Sequence, residues 1–183
     1  RSFVAAAVVL VAGSHALGGD ILQKKEGSFV PAIKGTGPTQ ADFDASNMQV
    51  VDANVNEIKT LLTVGGRQQP QPQPAASVAE IWLEPKDYPG NWKPALEAYK
   101  AGDYKTAAAT FKAIGADDRV NAVVRQKALL FAARSVREGG TPTQAETYYA
   151  DLLKAFPQSF YTARAYKEQS QMWMDANEGA KAR

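Results

Sequence analysis

Ala98-Tyr99-Lys100-Ala101-Gly102-Asp103-Tyr104, followed by Ala107 and Phe111, is the stretch on which the expected fold turns. It predicts two helices joined by a tight glycine turn. A similar unit returns further on: Ala132-Ala133 and Val136, the turn Gly139-Gly140-Thr141-Pro142, then Ala145, Tyr149, Leu152 and Pro157. In both units a small residue sits early in the second helix, and an aromatic follows four positions later on the same face. The small residue lets the paired helix approach closely, and the aromatic fills the groove beside it. Working outward, helices are expected near 92–101, 104–114, 118–138, 142–156 and 159–177. The last carries Phe160, Ala163, Tyr166 and Trp173, which suits a helix covering the open end of a stack. Tyr99, Phe111, Phe131, Tyr149 and Phe156 fall at helical spacing and are expected in the core.

The turn, the alanine, the aromatic and the closing proline together resemble the tetratricopeptide repeat. Ala107 and Ala145 lie 38 residues apart, against about 34 in the strict repeat. The segment Tyr148-Tyr149-Ala150-Asp151-Leu152-Leu153-Lys154-Ala155-Phe156-Pro157-Gln158-Ser159 is also similar to periplasmic repeat proteins of the Tol-Pal and outer-membrane-assembly type. Residues 77–183 are therefore expected to form a helical repeat domain. The resemblance implies adaptor activity in a periplasm or lumen, with protein partners and no catalytic residues.

Upstream of the repeats, Ser77-Val78-Ala79-Glu80 offers a capping box, Ile81-Trp82-Leu83 a buried run and Pro85 an end. Tyr88-Pro89-Gly90-Asn91 has Pro and Gly where a type II turn wants them. Gln68-Gln69-Pro70-Gln71-Pro72-Gln73-Pro74 predicts a polyproline II spacer over 68–76, roughly 20 Å long. Residues 23–67 read as an extended arm carrying one helix. Thr39-Gln40-Ala41-Asp42 resembles a capping box that opens the helix, and Gly65-Gly66 would close it. Within it Met48, Val51, Val55, Ile58 and Leu62 recur in steps of three and four, one narrow apolar stripe. Those five residues are the expected partner-binding face, either against this chain's own C-terminal domain or in the groove of another protein.

Residues 2 to 19 carry no charge and are rich in alanine and valine. The segment is long enough to span a bilayer, and residues 1–22 are expected as a membrane helix. It also looks like an export signal, with Ser14-His15-Ala16 as a small-x-small cleavage site, and like a thylakoid-lumen signal of algae. His15 lies inside this segment. A neutral imidazole there could ligate a chlorophyll or haem, or simply reach interfacial water.

Lys and Arg number 21 against 19 Asp and Glu, so no strong basic field points to nucleic acid. There is no cysteine, and His15 is the single histidine. Those counts exclude thiolate chemistry and leave most hydrolytic and metal chemistry without its usual groups. No phosphate loop, dinucleotide fingerprint or nucleophile elbow is present. Arg119, Arg125, Lys127, Arg134 and Arg137 make one helix basic, which reads as a solvated face or as a surface for an acidic partner or lipid headgroup. The expected fold is thus all-α: membrane helix, arm, spacer and helical repeats. The expected function is a membrane-anchored, non-catalytic scaffold or adaptor without cofactor or small-molecule substrate, its C-terminal domain in a periplasm or thylakoid lumen. Two alternatives stand beside it: an accessory subunit of a photosynthetic or respiratory complex, and an exported soluble envelope adaptor.

Overall fold

The computed structural model describes residues 19–26, 28–31 and 37–176. The chain folds as a β-rich first half and a helical second half. Strands β1 (Ile21–Lys24) and β2 (Phe29–Val30) precede a short helix α1 (Gln40–Ala45). Strands β3 (Met48–Ala53), β4 (Glu57–Val64), β5 (Arg67–Pro70), β6 (Gln73–Pro74) and β7 (Val78–Trp82) follow. The second half is α2 (Trp92–Lys100), α3 (Tyr104–Ala116), α4 (Ala122–Glu138), α5 (Pro142–Ala155) and α6 (Thr162–Asp175).

The all-α expectation is therefore corrected to mixed α/β with two antiparallel sheets. The capping box at Thr39 does form, the Asp42 N–H donating to the Thr39 hydroxyl and the Thr39 N–H to the Asp42 carboxylate, but the helix it opens stops at Ala45. From Met48 the chain is extended. Gly65 and Gly66 do not end a helix; both take positive φ, +58° and +76°, and form the two-residue turn between β4 and β5. A turn with two left-handed residues matches the twist of paired strands, so glycine is favoured at both positions. The Pro/Gln tract is not a free spacer. Pro70 pairs across from Leu61 on the edge strand, where its missing donor is tolerated, and Gln73–Pro74 pairs with Glu57–Ile58. Residues 78–82, expected in a helix opened by Ser77, form a strand on β1.

No helix among the described residues is long and apolar enough to cross a membrane. Most of the expected span, His15 included, lies outside the described residues. Its last part runs into the β-rich half, where Ile21 and Leu22 are wholly buried in β1.

One sheet has the order β2-β1-β7, and the other β3-β4-β5 with β6 also on β4. Asp20 stitches them together. Its N–H donates to the Met48 carbonyl at 2.6 Å, and its carbonyl accepts from the Ser46 hydroxyl at 2.7 Å. Its carboxylate accepts from the Val50 N–H at 2.6 Å and from the Glu84 N–H, just past β7, at 2.8 Å. Such a buried group is tolerated because every polar atom has a partner. Burial still pushes its carboxyl from 3.8 up to about 6, against the pull of those two N–H groups. Gly19 precedes it because the chain grazes the β3 backbone: a Cβ there would fall on the Met48 carbonyl oxygen.

Both halves share one core. Leu22, Met48, Ile58 and Ile81 from the strands meet Trp92, Phe111, Ile114 and Val124 from the helices. A second cluster, including Leu130, Tyr149, Tyr161 and Trp173, holds α4, α5 and α6 together. The helices fall close to the stretches where turn chemistry and periodicity predict them. Ala107 and Ala145 are fully buried, and a Cβ on Gly115 would come within 2.5 Å of Leu129, so α3 and α4 pack closely. The glycine turns use Gly102 and Gly140 at φ +82° and +79°. The tip of the β3–β4 hairpin is tied to the loop before α6, the Val55 N–H donating to the Gln158 carbonyl at 2.9 Å.

Candidate functional site

β7 has a sheet neighbour on one side only, β1, and its other edge faces helices. The carbonyls on that edge are capped by cations. Lys127 of α4 donates to the Ile81 carbonyl at 3.0 Å, and Arg164 of α6 donates to the Ala79 carbonyl at 2.5 Å. Between them the Glu80 carboxylate accepts from Arg164 at 2.8 Å and from the Tyr161 hydroxyl at 3.2 Å, with the Lys127 ammonium 3.4 Å away. Burial raises the Glu80 pKa, but Lys127 and Arg164 more than reverse this and hold it below the ordinary glutamate value. Burial, and then the Glu80 charge, push the Tyr161 phenol well above its usual range.

A second ion pair lies two turns further along α4 and one turn further along α6. The Arg134 guanidinium grips the Glu168 carboxylate through Nε, at 2.9 and 3.1 Å, and through Nη2. Glu168 also accepts from the Tyr149 hydroxyl at 3.2 Å and has Arg137 at 3.7 Å. Burial raises its pKa, and Arg134 outweighs that, so the carboxyl stays below its ordinary value.

Over these pairs opens a cleft of about 630 Å³ between the two halves of the molecule. α4 contributes Lys127, Leu130, Phe131 and Arg134, spaced as one helix face. α2 brings Lys93 and Leu96, and β7 with its following residue brings Glu80, Trp82 and Leu83. The loop 88–90 and Phe43 of α1 complete the wall. Trp82 stands 36% exposed at the cleft, with the Lys127 ammonium 5.3 Å from its ring centre. Trp92, itself in the wall, and Phe111 behind it pack edge-on or tilted against Phe131 at 5.9 and 5.2 Å, which fixes that ring. A carboxylate held ionised by two cations makes a weak general base, so the pairs suit structure and recognition better than proton transfer.

The five stripe residues do not form one outward face: Met48, Ile58 and Leu62 meet in the core, with Met48 and Leu62 paired across β3 and β4. Met48 and Ile58 point into the core at 1% and 0% exposure, and Leu62 is half-buried against it. Val51 and Val55 are exposed instead. Val55 borders a smaller cavity of about 360 Å³ shared with Lys25, Phe160 and Arg164. Two members of the basic series, Lys127 and Arg134, turn inward to the cleft rather than forming a solvated face. Among the described residues no group of three or more acids or histidines could hold a metal ion. The tetrapyrrole expectation rests on His15, outside the described residues. Glu80, Trp82 and Arg164 were not foreseen as site residues, since their meeting depends on a strand where a helix was expected.

Comparison of the chain with protein-family models, with curated proteins and with solved structures finds no match.

Proposed function

We propose that the protein is a non-catalytic adaptor that holds a segment of another protein in the cleft between β7 and helices α2, α4 and α6. The observation that carries this reading is the division of labour within the cleft. Glu80, Lys127 and Arg164 are engaged with one another and with the β7 carbonyls, and Arg134 is engaged with Glu168. Leu96, Leu130, Phe131 and the exposed Trp82 then offer an apolar wall of a size that suits a few side chains. On the same reading its place of work is a periplasm or a lumen, as the repeat resemblance implies, and the thylakoid lumen is the one that the signal-like residues before Gly19 suggest.

The test is selection from a random peptide library on the folded protein, with Leu96→Asp as the counter-screen. Selected peptides should bind the wild type at least roughly tenfold tighter than the variant, the size of one lost apolar anchor. No selected peptide, or equal binding to the variant when its thermal melt is normal, would overturn the reading.

A further inference from the structure

Resting on that adaptor reading, we infer that the segment taken by the cleft is acidic: one or more carboxylates within a residue or two of an aromatic or long aliphatic side chain. Lys93, Lys127, Arg134 and Arg164 line the cleft, against Glu80 as the one carboxylate among its lining residues. Behind the wall Glu168 balances one of these cations and Arg137 is paired with Glu138, which leaves two positive charges uncompensated. The acids Glu84 and Asp87, on either side of Pro85, are not among the lining residues, and Lys86 pairs with Glu84 at 2.6 Å. Donor capacity is also left over. Among the described residues Arg134 Nη1 and Arg164 Nε make no hydrogen bond, and the Lys127 ammonium uses one donor on the Ile81 carbonyl and one toward Glu80. Lys93 is exposed on the α2 wall, one turn before Leu96.

An acidic side chain entering here meets cations beside an apolar wall, where the lower dielectric strengthens their attraction. The apolar neighbour of that carboxylate has Trp82, Phe131 and Leu96 to pack against. An anionic membrane surface shares the charge but not the shape. The Lys127 and Arg134 side chains are only 10% and 21% exposed, set in a concave site that a flat bilayer does not enter.

The experiment uses three fluorescent decapeptides with one aromatic-aliphatic core and acidic, neutral or basic flanks, titrated against the whole protein by anisotropy at low and at physiological salt. Vesicles of phosphatidylglycerol and phosphatidylcholine form a fourth arm. The acidic peptide should bind at least roughly tenfold tighter than the basic one, and its affinity should fall as salt rises. Lys93→Glu, which alters an exposed side chain, should weaken the acidic peptide roughly fivefold, the size of one partly screened ion pair, with no change in melting temperature. If all three peptides bind equally, the cleft still serves an adaptor and the charge inference alone is wrong. If none binds, both proposals are wrong. Binding to the vesicles without binding to the acidic peptide would sink the inference in favour of a lipid surface.

Discussion

Replacing Asp20 by Asn removes one titrating carboxyl from the place where the two sheets are joined. In the wild type both carboxylate oxygens accept backbone N–H groups, and the residue is 1% exposed. Asn keeps one acceptor and turns an NH₂ toward the other donor. At neutral pH the variant should therefore be less stable by about 1–3 kcal/mol, the cost of one buried unsatisfied donor. The pH dependence carries more information. The carboxyl stands at 3.8 when free and at about 6 in the fold, so the folded state binds its proton more tightly. A group raised in this way stabilises fully below the unfolded value and loses that contribution as pH rises through the folded one. The difference in pKa corresponds to about 3 kcal/mol across the window from pH 4 to pH 7. Urea unfolding of wild type and Asp20→Asn at several pH values across that window isolates this residue, because titrations common to both cancel. The stability gap should widen as the solution is acidified. A constant or narrowing gap would show that the two N–H groups outweigh burial, and the argument for a raised carboxyl would fail.

Three other perturbations probe different parts of the molecule. Gly19→Ala sets a methyl on the fixed Met48 carbonyl oxygen, and should cost about 3 kcal/mol or more, read as a lower urea midpoint. Glu80→Gln leaves Lys127 and Arg164 facing a neutral amide, and should cost about 2–4 kcal/mol because the network is largely buried. The wild type loses this contribution as pH falls below the ordinary glutamate value of 4.5, the opposite sign to Asp20, so the variant's deficit should shrink in acid. Val55→Asp changes a side chain that is 40% exposed and leaves its backbone bond to Gln158 intact. Calorimetry should show stability within about 0.5 kcal/mol of wild type, and peptide binding in the cleft should be unchanged.

The helical half was legible because its signals are local. Gly102 and Gly140 fix the turns, and Ala107 and Ala145 mark close helix contacts, all within a few residues of the elements they shape. The β-rich half misled for a specific reason. The inward residues of β3 are Met48, Val50 and Ala53, because the register slips between Val50 and Asp52 and breaks the period of two. The steps of three and four come from Val51 and Val55, apolar residues left exposed on the strand and its turn, which fall by chance at helical spacing between Met48 and the apolar residues of β4. The better signal was Gly65-Gly66 between Thr60–Val64 and Arg67–Gln69, a two-glycine turn between runs able to extend. The cleft was illegible on different grounds. Glu80 meets Arg164 across 84 residues, and nothing in the local pattern of either marks the other.

A ribosome releases this chain from its amino end, and that direction matters for the strand sealed by Lys127 and Arg164. While the protein is being made, β7 emerges with a bare row of backbone acceptors, and the second of its two caps arrives 85 positions later. Until then the nascent molecule carries an open seam of the kind that recruits neighbouring strands. Fragments that stop before α6 should accordingly cluster, scattering light at concentrations where the full-length chain stays clear.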